Sequence, residues 1–338
     1  MMSSILKQES RPFLTIAIPT YNRSSLLRES IRALVPHIIF HNNHSDLKIE
    51  LLIVDNCSND KTQDVVETFQ RSNAFIRLYK NNYNLGIDGN IYTCILLAKG
   101  LYVHLLSDDD KVCQDVYAEL TNFLNFNRPY FVCLNIQLGD SNCKEICPNT
   151  PEIQVNGTGF VALEMNEFVK SVNIWMSFLS CFVINRDQWL IIKNHELFLG
   201  TEIYLSHIAF RLIAKAGVAY VSQVPSITAR NNYSGSFSII KAFAVEWLAL
   251  CRQLPSLGYS PKVVSVLEKI TVRKYMPGFV YKALNFPRFQ HDLTYLLVKN
   301  LFRYPSAWVL VFPIAIMPSA LISFLKRLRN FIKSLPPS

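Results

Sequence analysis

Short apolar runs alternate with amphipathic stretches over roughly the first 135 residues. The run 14–18 is β-rich and is stopped by Pro19 and Thr20, and residues 24–35 then repeat apolar positions at helical spacing. Residues 49–54 are almost wholly apolar, the pattern of a strand covered on both faces, and they end at Asp55 and Asn56. Ser58, Asn59 and Asp60 offer N-caps for a helix over 61–71. A third strand is predicted over 75–79, a turn over the asparagine-rich 81–86, and a helix over 88–98. Gly100 punctuates before a fourth apolar segment, 101–106, which delivers Asp108, Asp109 and Asp110.

Strands alternating with helices predict an α/β domain with a largely parallel sheet. Ligands of such sheets bind beyond the carboxyl ends of the strands. Three polar clusters fall at those ends: Pro19 to Asn22, Asp55 with Asn56, and the aspartate triplet. Adjacent carboxylates raise one another's pKa and repel. A Mg²⁺ or Mn²⁺ ion that also holds a diphosphate would relieve that cost, because both ions favour hard oxygen ligands.

In order and spacing, residues 15–23, 53–62, 84–86 and 105–110 resemble family 2 glycosyltransferases, which have the GT-A nucleotide-sugar fold. The likeness covers about residues 13–115 and thins beyond. It implies donor contacts from Pro19, Thr20, Tyr21 and Arg23, and a base or ribose contact from Asp55. Asn84, Gly86 and Asn90 would lie against the nucleotide, with Gly86 allowing close approach or positive φ. The usual Asp-x-Asp-Asp pattern is altered, since Ser107 stands where the first Asp would be. The register Asp108-x-Asp110 still gives a metal motif, with Asp110 and Asp108 as metal ligands and Asp108 and Asp109 also facing the donor.

The second half is read as the acceptor side. Residues 177–186 are predicted to be a strand leading into a helix with Asp187 and Trp189, and 198–204 lead into an amphipathic run with His207 and Arg211. Transfer with inversion needs a general base beside the acceptor hydroxyl. In the family a carboxylate at the start of a helix after such a strand serves, which points to Glu202; Asp187, Glu196 and His207 are the competitors. Arg230 follows a strand-like 224–228 and is placed on the diphosphate, or alternatively in a structural ion pair.

The same half is similar to bacterial O-antigen transferases that add a 3,6-dideoxyhexose, the abequosyltransferase-like group. The likeness rests on a basic residue before Trp189, the Gly200-Thr201 turn with a following histidine, and Arg230 to Ser234. His207 stands two residues later than that pattern expects. The resemblance implies a CDP-activated sugar and a lipid-linked (undecaprenyl diphosphate) oligosaccharide acceptor, in O-antigen or lipopolysaccharide synthesis. A UDP- or dTDP-sugar and another surface polysaccharide is the alternative.

Charge is segregated along the chain. Residues 1–268 carry 23 Lys/Arg against 24 Asp/Glu, whereas 269–338 carry 11 basic residues and the single acid Asp292, a net of +10. The basic region flanks an apolar stretch, 307–325, which is read as a membrane contact and not as nucleic-acid binding. Pro313 and Pro318 interrupt that stretch, and a span would place the basic tail outside, against the positive-inside tendency. An in-plane anchor on anionic lipid is expected, at the cytoplasmic face of a bacterial inner membrane; a buried helix of the core or a dimer contact is the alternative.

Residues 1–12 lack an apolar core, so no secretory leader is expected. The eight cysteines are scattered, and Cys143 and Cys147 lack a second pair, so reduced thiols are expected and no zinc site. The domains read as a GT-A domain over 13–236, with a donor half 13–137 and an acceptor half 153–236, and a helical, membrane-associating region over 237–338. Two other classes compete. A nucleotidyltransferase would need a glycine-rich, basic loop after the first strand, where Pro19 to Asn22 stand instead. A non-catalytic nucleotide-binding membrane scaffold would keep the binding edge and lose the base.

Overall fold

β1 (Leu14–Thr20) and β2 (Ile49–Asp55) are buried almost throughout, which is why their sequences show continuous rather than alternating apolarity. The computed structural model describes residues 11–316 apart from 114, 141–142, 144–151, 231–237 and 286–292. The predicted segment 231–234, Cys147, Asp292 and the apolar and basic residues from 317 onward lie outside the described residues. Among the described residues the chain forms two compact units. One is drawn from Met1–Gly200 and Tyr204–Tyr233, the other from Thr201–Ile203 and Ser234–Ser338.

The first unit is α/β. The strands β3 (Ile76–Lys80), β4 (Tyr102–Leu105), β5 (Lys111–Val112), β6 (Phe131–Leu138), β7 (Phe160–Glu164), β8 (Phe182–Asn185) and β9 (Val218–Ala229) complete its sheet. The order is β3-β2-β1-β4-β8-β6-β9-β5, with β7 also on β9. The β3-β2-β1-β4 half is parallel throughout. β8 then enters antiparallel between β4 and β6, while β6 and β9 are parallel to each other. Thr20 is in register with Asp55, so the ends of β1 and β2 are level. Gly100 is required where β4 begins, because a Cβ there would sit 2.5 Å from the Thr15 backbone nitrogen.

Helices α1 (Ser24–His44), α2 (Thr62–Gln70), α3 (Gly86–Leu97), α4 (Val116–Asn127), α5 (Met165–Val172), α6 (Arg186–Leu190) and α7 (Tyr204–Ala216) flank the sheet. Two expectations are corrected here. The first helix does not stop at residue 35 but continues through Pro36 to His44, with Leu34, Val35, Ile38 and His41 buried on one side. The expected strand over 177–186 is instead two short 3₁₀ turns, Asn173–Ser177 and Leu179–Cys181, followed by the four-residue β8.

The second unit is helical. Its described α-helices are α8 (Trp247–Gln253), α9 (Pro261–Ile270), α10 (Met276–Asn285), α11 (Leu293–Leu301), α12 (Pro305–Leu310) and α13 (Phe312–Ile316), with π-helical turns at Lys241–Glu246 and Thr271–Tyr275 and a 3₁₀ turn at Leu254–Leu257. Buried Trp247 donates from Nε1 to Thr271 Oγ1 at 2.9 Å, which pins the core of this unit.

Candidate functional site

The turns after β1, β2 and β4 converge at one edge of the first unit's sheet. Asp108, Asp109 and Asp110 are each at most 7% exposed, so three neighbouring carboxylates are nearly removed from water. Every one has dedicated partners. Asp108 accepts from Thr20 Oγ1 at 2.7 Å and from Arg23 Nη1 at 2.9 Å. The same Arg23 nitrogen reaches Asp109 Oδ2 at 3.1 Å, and Ser107 Oγ donates to Asp109 Oδ1 at 2.5 Å. Asp110 accepts from Ser180 Oγ at 2.6 Å and from the Arg230 backbone nitrogen at 3.1 Å.

These partners do not fully offset burial. Desolvation pushes Asp108 up to about 6, against the pull of Arg23, and Asp109 adds to the rise. Asp110 is pushed up as well, first by burial and then by the Asp109 charge. Such an electrostatic deficit is what a bound cation relieves. Among the described residues no group of three or more His, Cys, Asp or Glu could hold a metal ion by itself. Hard carboxylate oxygens without a complete cage suit Mg²⁺ or Mn²⁺ bound through one or two carboxylates together with phosphate oxygens. The residues present therefore fit a cation that arrives with a diphosphate.

Asp55 closes the end of β2. It is 1% exposed; Oδ1 accepts from the Ser58 backbone nitrogen at 2.9 Å, while Oδ2 has no hydrogen-bond partner and lies 3.9 Å from Lys80 Nζ. A buried carboxylate oxygen without a donor costs free energy until something supplies one. Tyr21, the first residue after β1, is exposed, and Pro19 lies within β1 opposite Val54.

The asparagine-rich turn is a lattice. Asn56 Nδ2 donates to Asn84 Oδ1 at 2.8 Å and Gly86 O at 3.1 Å, and Asn81 Nδ2 donates to Asn56 Oδ1 and Asn90 Oδ1 at 3.0 and 2.9 Å. Asn90 Nδ2 in turn donates to Val54 O at 3.2 Å. Asn84 and Asn90 thus fix the loop above β2 through their side chains. Gly86 has φ +72° with open space around its missing Cβ, so its conformation and not crowding demands glycine.

Arg230 is 8% exposed. Its Nε donates to Asp109 O at 3.1 Å and Nη2 to Glu29 Oε2 at 3.1 Å. The guanidinium is thereby tied to the aspartate turn and to α1, which is the structural pairing weighed as the alternative to a diphosphate clamp. Glu29 and Ser180 were not among the sequence-derived site residues. Glu29 looks like any solvent-facing helix acid, and Ser180 sits 70 positions from Asp110 with no local motif around it.

The base candidates separate. Glu202 belongs to the second unit, where its Oε2 accepts from the Ser238 backbone nitrogen at 2.8 Å and Oε1 lies 4.0 Å from Lys241 Nζ. Asp187 pairs with Arg11 at 2.9 Å. It follows β8, whose Asn185 is in register with Tyr102 at the start of β4. Asp187 is therefore at the opposite end of the sheet from Asp108, and its candidacy as a base is corrected. Glu196 is exposed on a short 3₁₀ turn. His207 is buried, stacked on Phe198 at 4.8 Å, and held to about 4 by desolvation. A cavity of about 400 Å³ lined by His37, His41, Asp115 and Tyr117 opens on α1 and α4 and includes none of the sequence-derived donor residues.

A family model described as glycosyl transferase family 2 matches residues 15–187, just over half of the chain. An abequosyltransferase of Salmonella typhimurium is 25% identical over 195 residues, covering 56% of this chain and 57% of the relative. A GalNAc(5)-diNAcBac-PP-undecaprenol beta-1,3-glucosyltransferase of Campylobacter jejuni is 30% identical over 116 residues, covering 34% of this chain and 35% of the relative. The chain thus spans little more than half of the one relative's length and about a third of the other's.

Among solved structures, S. aureus TarS in complex with UDP-GlcNAc superposes with a TM-score of 0.56 at 14% identity, covering 85% of this chain and 81% of that one. A mannosyltransferase of Pyrobaculum calidifontis in complex with GDP-Man and Mn²⁺ gives 0.50 at 16% identity, covering 96% and 84%. At these identities the likeness is one of fold, and the fold is GT-A.

Proposed function

The chain belongs to glycosyl transferase family 2, and from that premise we propose that it transfers a sugar from a nucleoside-diphosphate donor to a lipid-linked oligosaccharide during synthesis of a bacterial surface polysaccharide. The observation that carries the reading is the buried aspartate edge level with the orphaned Asp55 Oδ2, inside the matched segment. The preferred donor is a CDP-3,6-dideoxyhexose. Its support is the abequosyltransferase relative, whose match extends over 195 residues. The preferred acceptor is undecaprenyl diphosphate-linked, after the wording of the Campylobacter relative's name.

In this reading Asp55 Oδ2 accepts an N–H or O–H from the nucleoside, which would satisfy its missing partner. Thr20 and Arg23 hold Asp108, and Ser180 with the Arg230 backbone holds Asp110, so both carboxylates are fixed before ligand arrives. A Mg²⁺ or Mn²⁺ ion held by Asp110 and Asp108 would supply positive charge to the departing diphosphate. Glu202 takes the proton of the acceptor hydroxyl. What supports it is a partly exposed carboxylate shortly before α7, steadied by a backbone N–H and by Lys241. The enzyme works at the cytoplasmic face of the inner membrane, where nucleotide sugars are supplied.

The test is transfer itself. The purified protein would be incubated with CDP-abequose, UDP-GlcNAc, UDP-Gal or dTDP-rhamnose and a short-chain polyprenyl diphosphate oligosaccharide, and the lipid product weighed by mass spectrometry. A mass gain from the CDP donor alone supports the preferred donor. A gain from a UDP or dTDP donor moves the reading to the alternative polysaccharide. No gain from any donor, on protein that binds nucleotide, favours the scaffold reading.

A further inference from the structure

The described end of the second unit turns an apolar face outward. Phe302 is 61% exposed, Trp308 52%, Val309 73% and Ile316 84%. Leu297 and Leu301 of α11, Ala307 of α12 and Val311, which joins α12 to α13, are buried, so the apolar residues of this end are already divided between core and surface. The face is also braced. Tyr304 donates to Glu268 Oε1 at 2.7 Å and accepts from Arg252 Nη2 at 3.1 Å, which fixes the start of α12 to α8 and α9. Trp308 Nε1 donates to Phe302 O at 3.0 Å, and the two rings meet edge to face at 5.2 Å. Exposed aromatics held in place by their own unit mark a contact surface more than an unfilled core.

Charge identifies the occupant. Lys299 and Arg303, both exposed, flank Phe302 in sequence. The region 269–338 carries 11 basic residues against one acid, with Lys326, Arg327, Arg329 and Lys333 following an uncharged run in sequence. Among the described residues no helix is long and apolar enough to cross a membrane. Aromatic side chains beside cations, on helices too short to span, fit the headgroup level of an anionic bilayer.

We infer that Phe302, Trp308, Val309 and Ile316 form a lipid-docking face that seats the second unit in the plane of an anionic membrane. The inference rests on the proposed membrane-borne acceptor for its purpose, yet its test involves neither donor nor acceptor. Trp308 and Val309 enter the interface, and Lys299 and Arg303 lie over lipid phosphates.

The experiment is vesicle co-sedimentation of the full chain, with phosphatidylglycerol–phosphatidylethanolamine vesicles against pure phosphatidylcholine. Tryptophan emission, its quenching by brominated lipid and light scattering would be recorded alongside. The expected result is pelleting on anionic vesicles only, with a blue shift and bromolipid quenching that are absent in Trp308→Phe. Pelleting should weaken by roughly tenfold in the doubly substituted Trp308→Glu, Val309→Glu protein, whose circular dichroism is unchanged. Equal pelleting of that variant and the unaltered protein overturns the proposal. So does Trp308 emission already shielded from iodide without vesicles, which would mean that the chain's own tail covers the face. A dimer that the double substitution dissociates, with no vesicle binding by either form, assigns the face to a second copy and also overturns it.

Discussion

Ser180 Oγ donates to Asp110 Oδ2 at 2.6 Å and accepts from the Ser107 backbone nitrogen at 3.0 Å, joining the turn before β8 to the aspartate edge. The Ser180 carbonyl also bonds His104 Nε2 at 3.1 Å, and His104 Nδ1 reaches Tyr117 OH at 3.1 Å. One hydroxyl therefore anchors a buried carboxylate to a polar string that crosses three elements.

Removing that hydroxyl in Ser180→Ala leaves a buried charge short of a donor, which costs about 1–3 kcal/mol. The folded protein should lose about tenfold or more in metal-dependent nucleotide affinity, and Ser180→Thr should retain most of it. Isothermal titration calorimetry on the three proteins checks this. Unchanged affinity in Ser180→Ala would show that Asp110 needs no such support.

Asp110→Asn should stabilise the metal-free fold at pH 7.5 by about 1 kcal/mol while removing metal-dependent nucleotide binding, since functional sites often trade stability for charge. The sign follows from raised folded pKa values at Asp108 and Asp110. Their contribution is fully present below the unfolded carboxylate value near 3.8 and is lost as pH rises through the folded value, about 6 for Asp108. In chelator, the stability gap between Asp110→Asn and the unaltered protein should widen from pH 4 to pH 7.5. Urea melts at four pH values measure it, and a gap that narrows would contradict the electrostatic account.

His104 behaves oppositely. Burial lowers it from 6.5 to about 4, so its stabilising contribution is complete above pH 6.5 and lost as pH falls towards 4. His104→Gln should be less stable than the unaltered protein at pH 7.5, and the deficit should shrink by on the order of 1–2 kcal/mol by pH 5. Chemical denaturation at both pH values reads this directly. A deficit independent of pH would mean that His104 is already charged in the fold.

Glu202→Gln should lower kcat by about a hundredfold to ten-thousandfold with nucleotide affinity kept, the pattern of a lost general base. Asp187→Asn, at the other end of the sheet, should leave kcat within about twofold. If Glu202→Gln transfers sugar at the normal rate, the base is another group.

The polar edge that carries the aspartates was legible because β1, β2 and β4 are covered on both faces and announce themselves as apolar runs. Their carboxyl ends then expose Thr20, Asp55 and the aspartates to a positional rule. What escaped sequence reasoning depends on partners far along the chain. α1 passes through Pro36 because Ile38 and His41 have tertiary burial beyond it, a gain that local propensity does not contain. Residues 177–181 are apolar enough for a strand, yet they coil into 3₁₀ turns that place Ser180 under Asp110. Arg230 had two readings in sequence, and its structural bonds to Asp109 O and Glu29 became visible only once α1 was in place.

The central claim is that Asp108 and Asp110 bind a metal with a nucleoside diphosphate. Thermal shifts of the full chain with CDP, UDP, GDP and dTDP, each with Mn²⁺ or with chelator, test it most directly. The account expects stabilisation by one nucleotide, CDP by preference, only when Mn²⁺ is present, and none in Asp110→Ala. Folded protein that no nucleotide shifts, or an equal shift in chelator and in Asp110→Ala, would contradict it.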